Sequence, residues 1–288
     1  MRKDFSYQDC WNYFLRLLPK KTDLNEEQTR DLIMLCQVTP AKFWLNFQSE
    51  ILSSSSYRQI CWKINRYQVK KIPVAYLNKE VYFYNLSFRI EKGVFIPQKD
   101  TEILLEKTIE LINRYWKKQK RLKILDIGTG CGNLAICLAK NNPCWKIFAT
   151  DISQKALKTV SENAIIHQVK NLKIIQSNLF KNLKDKYNVI ITNPPYISEK
   201  EYQVLPFSTK QQPKKALVAK NNGYWFYEKI IHQVQRYLTK KFLLIMEIGY
   251  QQKKKILKIL IREVPQAKVE VFRDLASKKR VIAVYKVV

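Results

Sequence analysis

An α/β fold on a seven-stranded sheet, parallel except for a closing antiparallel hairpin, is the architecture this 288-residue chain predicts, with a small helical domain and a linking β-hairpin ahead of it. Three observations carry that expectation. From Lys123 onward, short apolar runs alternate with helical stretches, the pattern of a parallel sheet covered by helices on both faces. From Tyr7 to about Lys71 the apolar residues recur at helical spacing. Around Pro73 the texture changes to β-prone residues flanking a turn residue. At ~150 residues per domain the length suits two domains, or one large domain with an appendage. The expected boundaries are 1–72 for the helical domain, 73–96 for the hairpin linker and 97–288 for the sheet domain.

Within the first segment Trp11, Phe14, Leu15 and Leu18 fall at i, i+3, i+4 and i+7, and Leu32, Ile33, Leu35 and Cys36 follow the same rule. Several short helices result. Ser53 to Ser56 reads as a linker or a helix start, and helix resumes from Tyr57 to Tyr67. Trp11, Phe43, Trp44 and Trp62 are expected to fill the core of a small bundle rather than to stack on bases. Next, Val81-Tyr82-Phe83-Tyr84 and Leu86-Ser87-Phe88-Arg89-Ile90 are parted by Asn85 and followed by Gly93, a short hairpin. Beyond Pro97 a helix is expected from Thr101, acting as its cap, to about Lys118. Strands are then expected from Lys123 to Ile127, Lys146 to Thr150, Lys173 to Gln176, Tyr187 to Thr192 and Phe242 to Glu247, with helices starting at Asn133 and Ser153. Lys268 to Phe272 and Val281 to Lys286 pair as the closing hairpin.

Composition bounds the function. Hydrophobic residues at 46% and charged residues at 26% are ordinary globular values, which excludes disordered and collagen-like classes. Lys+Arg of 52 against Asp+Glu of 24 gives +28, a surplus that suits a polyanionic partner or an acidic protein surface. Lysine outnumbers arginine by roughly three to one, and Asn and Ile are plentiful, as in any AT-rich coding sequence. The charge is thus compatible with a nucleic-acid or ribosome contact without requiring one. Six cysteines without a C-x-x-C pair indicate reduced thiols and a cytoplasmic location. The start, Met1-Arg2-Lys3-Asp4, carries an early acid and is not read as a signal peptide. No apolar run of about 18 residues exists, so no membrane helix and no membrane partner are expected. His167 and His232 stand far apart and read as surface helix residues, so no metal site is expected. A monomer is expected.

The run from Ile124 to Ile127 leads straight into Gly128-Thr129-Gly130-Cys131-Gly132-Asn133 and then an apolar helix. Such a turn presents backbone N–H groups to a ligand, and missing side chains let it approach. A dinucleotide fingerprint has its third glycine at position 133, which is Asn here; G-x-G-x-G is instead the S-adenosylmethionine spacing. Asp151, just after the second strand, stands where such folds hydrogen-bond a ribose diol. The candidate cofactor residues are therefore Gly128, Thr129, Gly130, Cys131, Gly132 and Asp151. Cys131 reads as a small side chain packed in a tight turn rather than as a redox centre.

Asn193-Pro194-Pro195-Tyr196 follows the apolar run from Val189 to Thr192. Two prolines stiffen the backbone at the carboxyl end of a strand, where open α/β sheets bind ligands. A planar –NH2 group has two in-plane donors; the Asn193 side-chain oxygen and the Pro194 carbonyl accept one each, while the Tyr196 ring lies on the flat face. That grip leaves the nitrogen's perpendicular direction facing a methyl sulfonium. Amide nitrogen is a poor nucleophile, so alignment is the main contribution and no general base is needed before transfer.

These residues resemble the protein-(glutamine-N5) methyltransferases of peptide chain release factors, the PrmC/HemK family. Along with the two motifs above, the likeness rests on Ile72-Pro73-Val74-Ala75-Tyr76-Leu77, Phe95-Ile96-Pro97-Gln98-Lys99-Asp100-Thr101-Glu102, Pro213 with Ala216-Leu217, and Phe272-Arg273-Asp274-Leu275 with Arg280-Val281. It covers nearly the whole length. The resemblance implies a Rossmann-like, seven-stranded S-adenosylmethionine-dependent methyltransferase domain, with S-adenosylhomocysteine as product. It also implies methyl transfer to the glutamine of the Gly-Gly-Gln motif of class I release factors, and a helical domain that docks that protein substrate. By position, Gly128 to Gly132, Asp151, Leu179 and Asn193 adjoin the cofactor, and Asn193 to Tyr196 hold the glutamine. The chain departs from the family pattern at Gln98 (usually Arg), Asn178 (often Asp) and Gln212 (usually Glu). Two other readings stand beside this one. An adenine-N6 DNA or RNA methyltransferase would use the same clamp on an exocyclic amine and suit the +28 charge. A decayed, non-catalytic protein that still binds release factor or RNA would account for the three altered positions.

Overall fold

The computed structural model describes residues 5–18, 25–117 and 121–287. The expected start at Met1-Arg2-Lys3-Asp4 and the expected helix end at Lys118 lie outside the described residues. The chain divides into two units, Met1–Glu80 with Pro206–Gln211 and Val81–Leu205 with Gln212–Val288.

In the first unit helices run over Tyr7–Arg16, Glu26–Cys36, Pro40–Leu45, Ser54–Gln68 and Val74–Asn78. The first four begin where a side-chain oxygen accepts an orphan N–H: Ser6 from Asp9, Asn25 from Gln28, Thr39 from Lys42 and Ser53 from Ser56. The serine run is therefore a helix start. Cys10, Phe14, Leu32, Leu35, Phe43 and Ile64 fill the core. Two aromatics expected there do not, since Trp44 is 49% and Trp62 54% exposed. The helix Ser54–Gln68 turns Ile60, Lys63 and Ile64 inward, which leaves Trp62 outside with the Arg66 guanidinium 4.8 Å over its ring. Trp44 packs edge-on against Trp11 and Phe43 at the rim.

Strands β1 (Glu80–Phe83) and β2 (Leu86–Arg89) form the hairpin. Its turn holds Tyr84 and Asn85 at φ 48° and 59°, the left-handed pair that a two-residue hairpin needs, so Tyr84 belongs to the turn rather than to the strand.

The large sheet of the second unit comprises β3 (Lys123–Ile127), β4 (Lys146–Asp151), β5 (Leu172–Gln176), β6 (Tyr187–Thr192), β7 (Leu238–Glu247), β8 (Lys268–Arg273) and β9 (Lys279–Lys286). Their order is β5-β4-β3-β6-β7-β9-β8, parallel from β5 through β7 and antiparallel at β7·β9 and β8·β9. β7 starts four residues before the expected Phe242, because Thr239-Lys240-Lys241 continues the strand beyond its apolar part, past a register shift between Tyr187 and Val189. β9 lies between β7 and β8, a strand insertion that periodicity does not reveal.

The strand order reverses between β3 and β6, and ligands bind at such a switch point, outside the carboxyl ends of the strands. Register makes this concrete. Ile127 pairs with both Thr150 and Thr192, and Thr192 pairs with Met246. One residue further along each strand, Gly128, Asp151, Asn193 and Glu247 come level on one edge. Beneath them Leu125, Ile190, Leu244 and Ile282 pack against Ile230, Ile231 and Ile256 in one apolar core.

The two histidines lie away from this edge. His167 ends the helix Gln154–Ile166 with Nε2 2.7 Å from the Ser87 carbonyl, and His232 sits 3.1 Å from Glu263. Among the described residues no His/Cys/Asp/Glu group could hold a metal ion, and no helix is long and apolar enough to cross a membrane.

Candidate active site

A cavity of about 380 Å³ opens at the carboxyl edge of β3, β4 and β6, within the usual size range for a small-molecule site. One lip is the glycine loop. The N–H groups of Gly128 and Thr129 donate to the Thr150 carbonyl at 2.8 and 2.9 Å, and that of Gly130 donates to Asp151 Oδ2 at 3.0 Å. These three N–H groups therefore tie the loop to β4, instead of pointing at a ligand as the sequence suggests. What the glycines give the ligand is room: a Cβ added at Gly128 or Gly130 would meet nothing within 4 Å. Gly132 differs. At φ +88° its Cβ would fall 2.3 Å from Val160 Cγ2, so it is needed for packing against the helix Gln154–Ile166, and it does not line the cavity.

Buried polar groups hold the loop from below. Thr129 Oγ1 donates to Asp126 Oδ2 at 2.6 Å, while burial pushes the Asp126 carboxyl up to about 7. Asn163, fully buried, donates to the carbonyls of Cys131 and Arg89 and accepts from the Arg89 N–H, linking β2 to the loop. Cys131 is buried, and burial pushes its thiol up to about 12, an environment that disfavours the thiolate. Asp151 at the end of β4 accepts from the Ser153 N–H at 2.8 Å as well as from Gly130, and burial raises its carboxyl above the ordinary range. Leu179 lines the same cavity at φ 52°, an uncommon conformation for leucine, with its carbonyl accepting the Ser177 hydroxyl at 2.8 Å.

The opposite lip carries Asn193, Pro194 and Pro195, all lining the cavity. Thr192 Oγ1 donates to the Ile127 carbonyl at 2.8 Å and fastens this strand end to β3. Asn193 Nδ2 donates to Thr101 Oγ1 at 3.1 Å. Tyr196 does not line the cavity: its ring packs on the core and its hydroxyl donates to Glu247 Oε1 at 3.2 Å, with Gln252 Nε2 donating to its carbonyl at 3.0 Å. Among the described residues, the aromatic residues that line the cavity are Phe95 and Phe226. Burial pushes the Glu247 carboxyl up to about 7, offset in part by the neighbouring Thr101 hydroxyl, by the Arg280 charge and by the hydrogen bond from Tyr196, while Glu247 Oε2 is left without a hydrogen-bond partner among the described residues.

Of the residues singled out from sequence, Gly128, Thr129, Gly130, Cys131, Asp151 and Leu179 thus meet Asn193, Pro194 and Pro195 around one space, while Gly132 and Tyr196 support it from outside. Thr101 is not the side-chain cap expected of it. A 3₁₀ turn over Lys99–Thr101 puts it at φ −72°, ψ −15°, and from that helical backbone its hydroxyl makes no cap bond to the helix Glu102–Tyr115. Glu247, Arg280 and Asn163 were not among the expected site residues; the available signal was an acid ending the apolar run Phe242 to Met246. The departures at Gln98 and Gln212 both fall on Ile96, whose carbonyl accepts Gln98 Nε2 at 2.8 Å and whose N–H donates to Gln212 Oε1 at 3.0 Å. Neither change leaves a side chain idle. Asn178 is exposed at the cavity wall.

The cavity suits S-adenosylmethionine: open space over Gly128 and Gly130, a carboxylate at Asp151, and apolar walls at Leu134, Ile152 and Leu179. The methyltransferase small domain family model matches residues 85–258. A release factor glutamine methyltransferase from Thermodesulfovibrio yellowstonii is 32% identical over 280 residues, covering 94% of this chain and 96% of that protein. One from Fusobacterium nucleatum is 38% identical over 222 residues, covering 76% of this chain and 61% of that protein. Among solved structures, the hMettl16 catalytic domain aligns with a TM-score of 0.56 at 16% identity, over 83% of this chain and 85% of that one, a likeness of fold. With a matching family model over most of its length and relatives of one kind above 30% identity, the chain belongs to the methyltransferase small domain family and, within it, to the release factor glutamine methyltransferases.

Proposed function

We propose that the chain transfers a methyl group from S-adenosylmethionine to the side-chain amide nitrogen of the glutamine in the Gly-Gly-Gln motif of class I peptide chain release factors. The observation that supports this most is the meeting of the glycine loop and Asp151 with Asn193-Pro194-Pro195 around one cavity. Bound there, S-adenosylmethionine supplies a methyl carbon made electrophilic by its sulfonium. The loop from Gly128 to Cys131 and Asp151 would hold it, and Ile152 and Leu179 would offer apolar surface to its base. Asn193 Oδ1 and the Pro194 carbonyl accept the two N–H groups of the glutamine amide and so aim the nitrogen's perpendicular lobe at the methyl.

As the N–C bond formed and the methyl–sulfur bond broke to leave S-adenosylhomocysteine, the amide protons would become more acidic, so both acceptors would bind the transition state more tightly than the ground state. The nitrogen sheds one proton to water after transfer, and no group has to remove it first. The helical domain docks the protein substrate, and the enzyme acts in the cytoplasm as a monomer. The test is a methyl-acceptor competition with labelled S-adenosylmethionine, a class I release factor and an adenine-containing oligonucleotide. Label on the factor, lost when its Gly-Gly-Gln glutamine is replaced, is the expected result. Label on the oligonucleotide alone makes the chain an adenine methyltransferase, and label on neither favours the decayed, binding-only reading.

A further inference from the structure

We infer that Gln212 is a positioning residue for the methyl acceptor: from behind the cavity wall its side-chain amide clamps residues 95–97 to residues 213–216, the two segments that wall the acceptor side. The inference rests on the glutamine-amide reading above and names a residue that shapes the site without lining it. Residues 95–97 lie in no helix or strand, between β2 and the 3₁₀ turn over Lys99–Thr101. A buried backbone N–H outside regular structure still needs an acceptor, and Pro97 brings no N–H of its own. Ile96 carries that need. It is 8% exposed, and its N–H donates to Gln212 Oε1 at 3.0 Å, with Gln212 itself 9% exposed. The Ile96 carbonyl accepts Gln98 Nε2 at 2.8 Å, but Gln98 is exposed, so water can replace that bond and not the first.

The buried bond lies where it can set a width. Of residues 93–97, Ile96 alone does not line the cavity: its side chain is buried while Phe95 and Pro97 on either side of it line the space, the alternation of an extended segment. Gln212 likewise lines nothing, whereas Pro213, Lys214, Lys215 and Ala216 after it all do. One hydrogen bond behind the wall thus joins two lining segments 116 residues apart in sequence. The second segment is an extension of the acceptor lip. Ile197, the residue after Asn-Pro-Pro-Tyr, donates its N–H to the Leu217 carbonyl at 3.0 Å and accepts the Ala219 N–H at 2.9 Å. Fixing that segment against Phe95 and Pro97 therefore fixes the space beside Asn193 that the methylene groups of the glutamine side chain must occupy. Contacts to those methylenes are made equally in the ground state and the transition state, so loss of the clamp weakens acceptor binding more than it slows transfer.

The test compares the wild type with Gln212→Met, which keeps the length and loses the acceptor, and with Gln212→Glu, which keeps an acceptor oxygen. Steady-state methylation of a class I release factor, cofactor affinity by calorimetry and hydrogen exchange at the Ile96 amide are measured for each. The expected result for Gln212→Met is a KM for the release factor raised by about 10-fold, kcat and cofactor Kd within about threefold of wild type, and faster exchange at Ile96. Gln212→Glu should restore the protection of Ile96 and most of the KM. An unchanged KM or an unchanged exchange rate in Gln212→Met, equal losses in the two variants, or a cofactor Kd that worsens in step with the KM would each overturn the clamp. A wild type that protects Ile96 but methylates no release factor overturns the reading of the acceptor instead, and with it the role given to the clamp.

Discussion

The glycine-loop lip of the cavity is held through its own backbone groups, with the N–H groups of Gly128 and Thr129 donating to the Thr150 carbonyl and that of Gly130 to the Asp151 carboxylate, whereas the Asn-Pro-Pro-Tyr lip is held through its own side chains, Asn193 by Thr101 and Tyr196 by Glu247. The two means suit two tasks. A cofactor lip needs shape and room, which glycines and a fixed backbone supply. An acceptor lip must present one oxygen and not the nitrogen beside it, a choice that only a polar side-chain partner can enforce. If this division is correct, damage to one lip should leave the other working.

The largest effect is expected at the acceptor lip. Asn193→Ala should lower methyl transfer by about 10²- to 10³-fold, because it removes an acceptor that strengthens in the transition state, while cofactor affinity measured by calorimetry stays within about twofold. Gly132→Ala should break the other lip from behind. Its Cβ meets Val160, and its φ of +88° disfavours any side chain, so thermal or urea unfolding should show a loss of about 3 kcal/mol. Asp151→Ala should raise the cofactor Kd by about 10- to 100-fold through loss of a charged acceptor, with saturated turnover far less affected than in Asn193→Ala.

The smallest effect is a pH dependence that the two lips share. Asp126 beneath the loop and Glu247 beneath the Asn-Pro-Pro-Tyr segment are both pushed by burial from ordinary values of 3.8 and 4.5 to about 7. Each folded value lies above the unfolded one, so between these values the native state holds the extra proton. The stability contribution is fully present below pH of about 4 and is lost as pH rises through about 7. Over pH 6 to 7 each group should lower unfolding free energy by about 1 kcal/mol, and Asp126→Asn or Glu247→Gln should each remove its own share of that slope in denaturation series.

The difference between the lips also explains what the sequence made legible. The glycine loop, Asp151 and Asn193-Pro194-Pro195 stand at strand ends in an apolar, alternating pattern, so local reading places them, and the register of β3, β4 and β6 brings them level. Thr101 looks like a helix cap because nothing local reports the 3₁₀ turn before it. Glu247 and Arg280 come together through the antiparallel β7·β9 pairing, which inserts β9 ahead of β8 and leaves no mark on periodicity. Tyr196 belongs to a motif whose residues share a lip but not a direction, and a proline-stiffened turn does not disclose which side chain points inward. Trp62 fails as a core residue for a similar reason: aromatic character is local, whereas the buried face of a helix is set by what packs on it.

The most direct measurement is fragmentation mass spectrometry of a class I release factor after incubation with the purified protein and S-adenosylmethionine. A single added methyl, located on the side-chain nitrogen of the Gly-Gly-Gln glutamine and absent when Asn193→Ala replaces the wild type, is the predicted result. A methyl on any other residue, or one that Asn193→Ala still installs at the wild-type rate, would contradict the division of the cavity into a cofactor lip and an amide-holding lip.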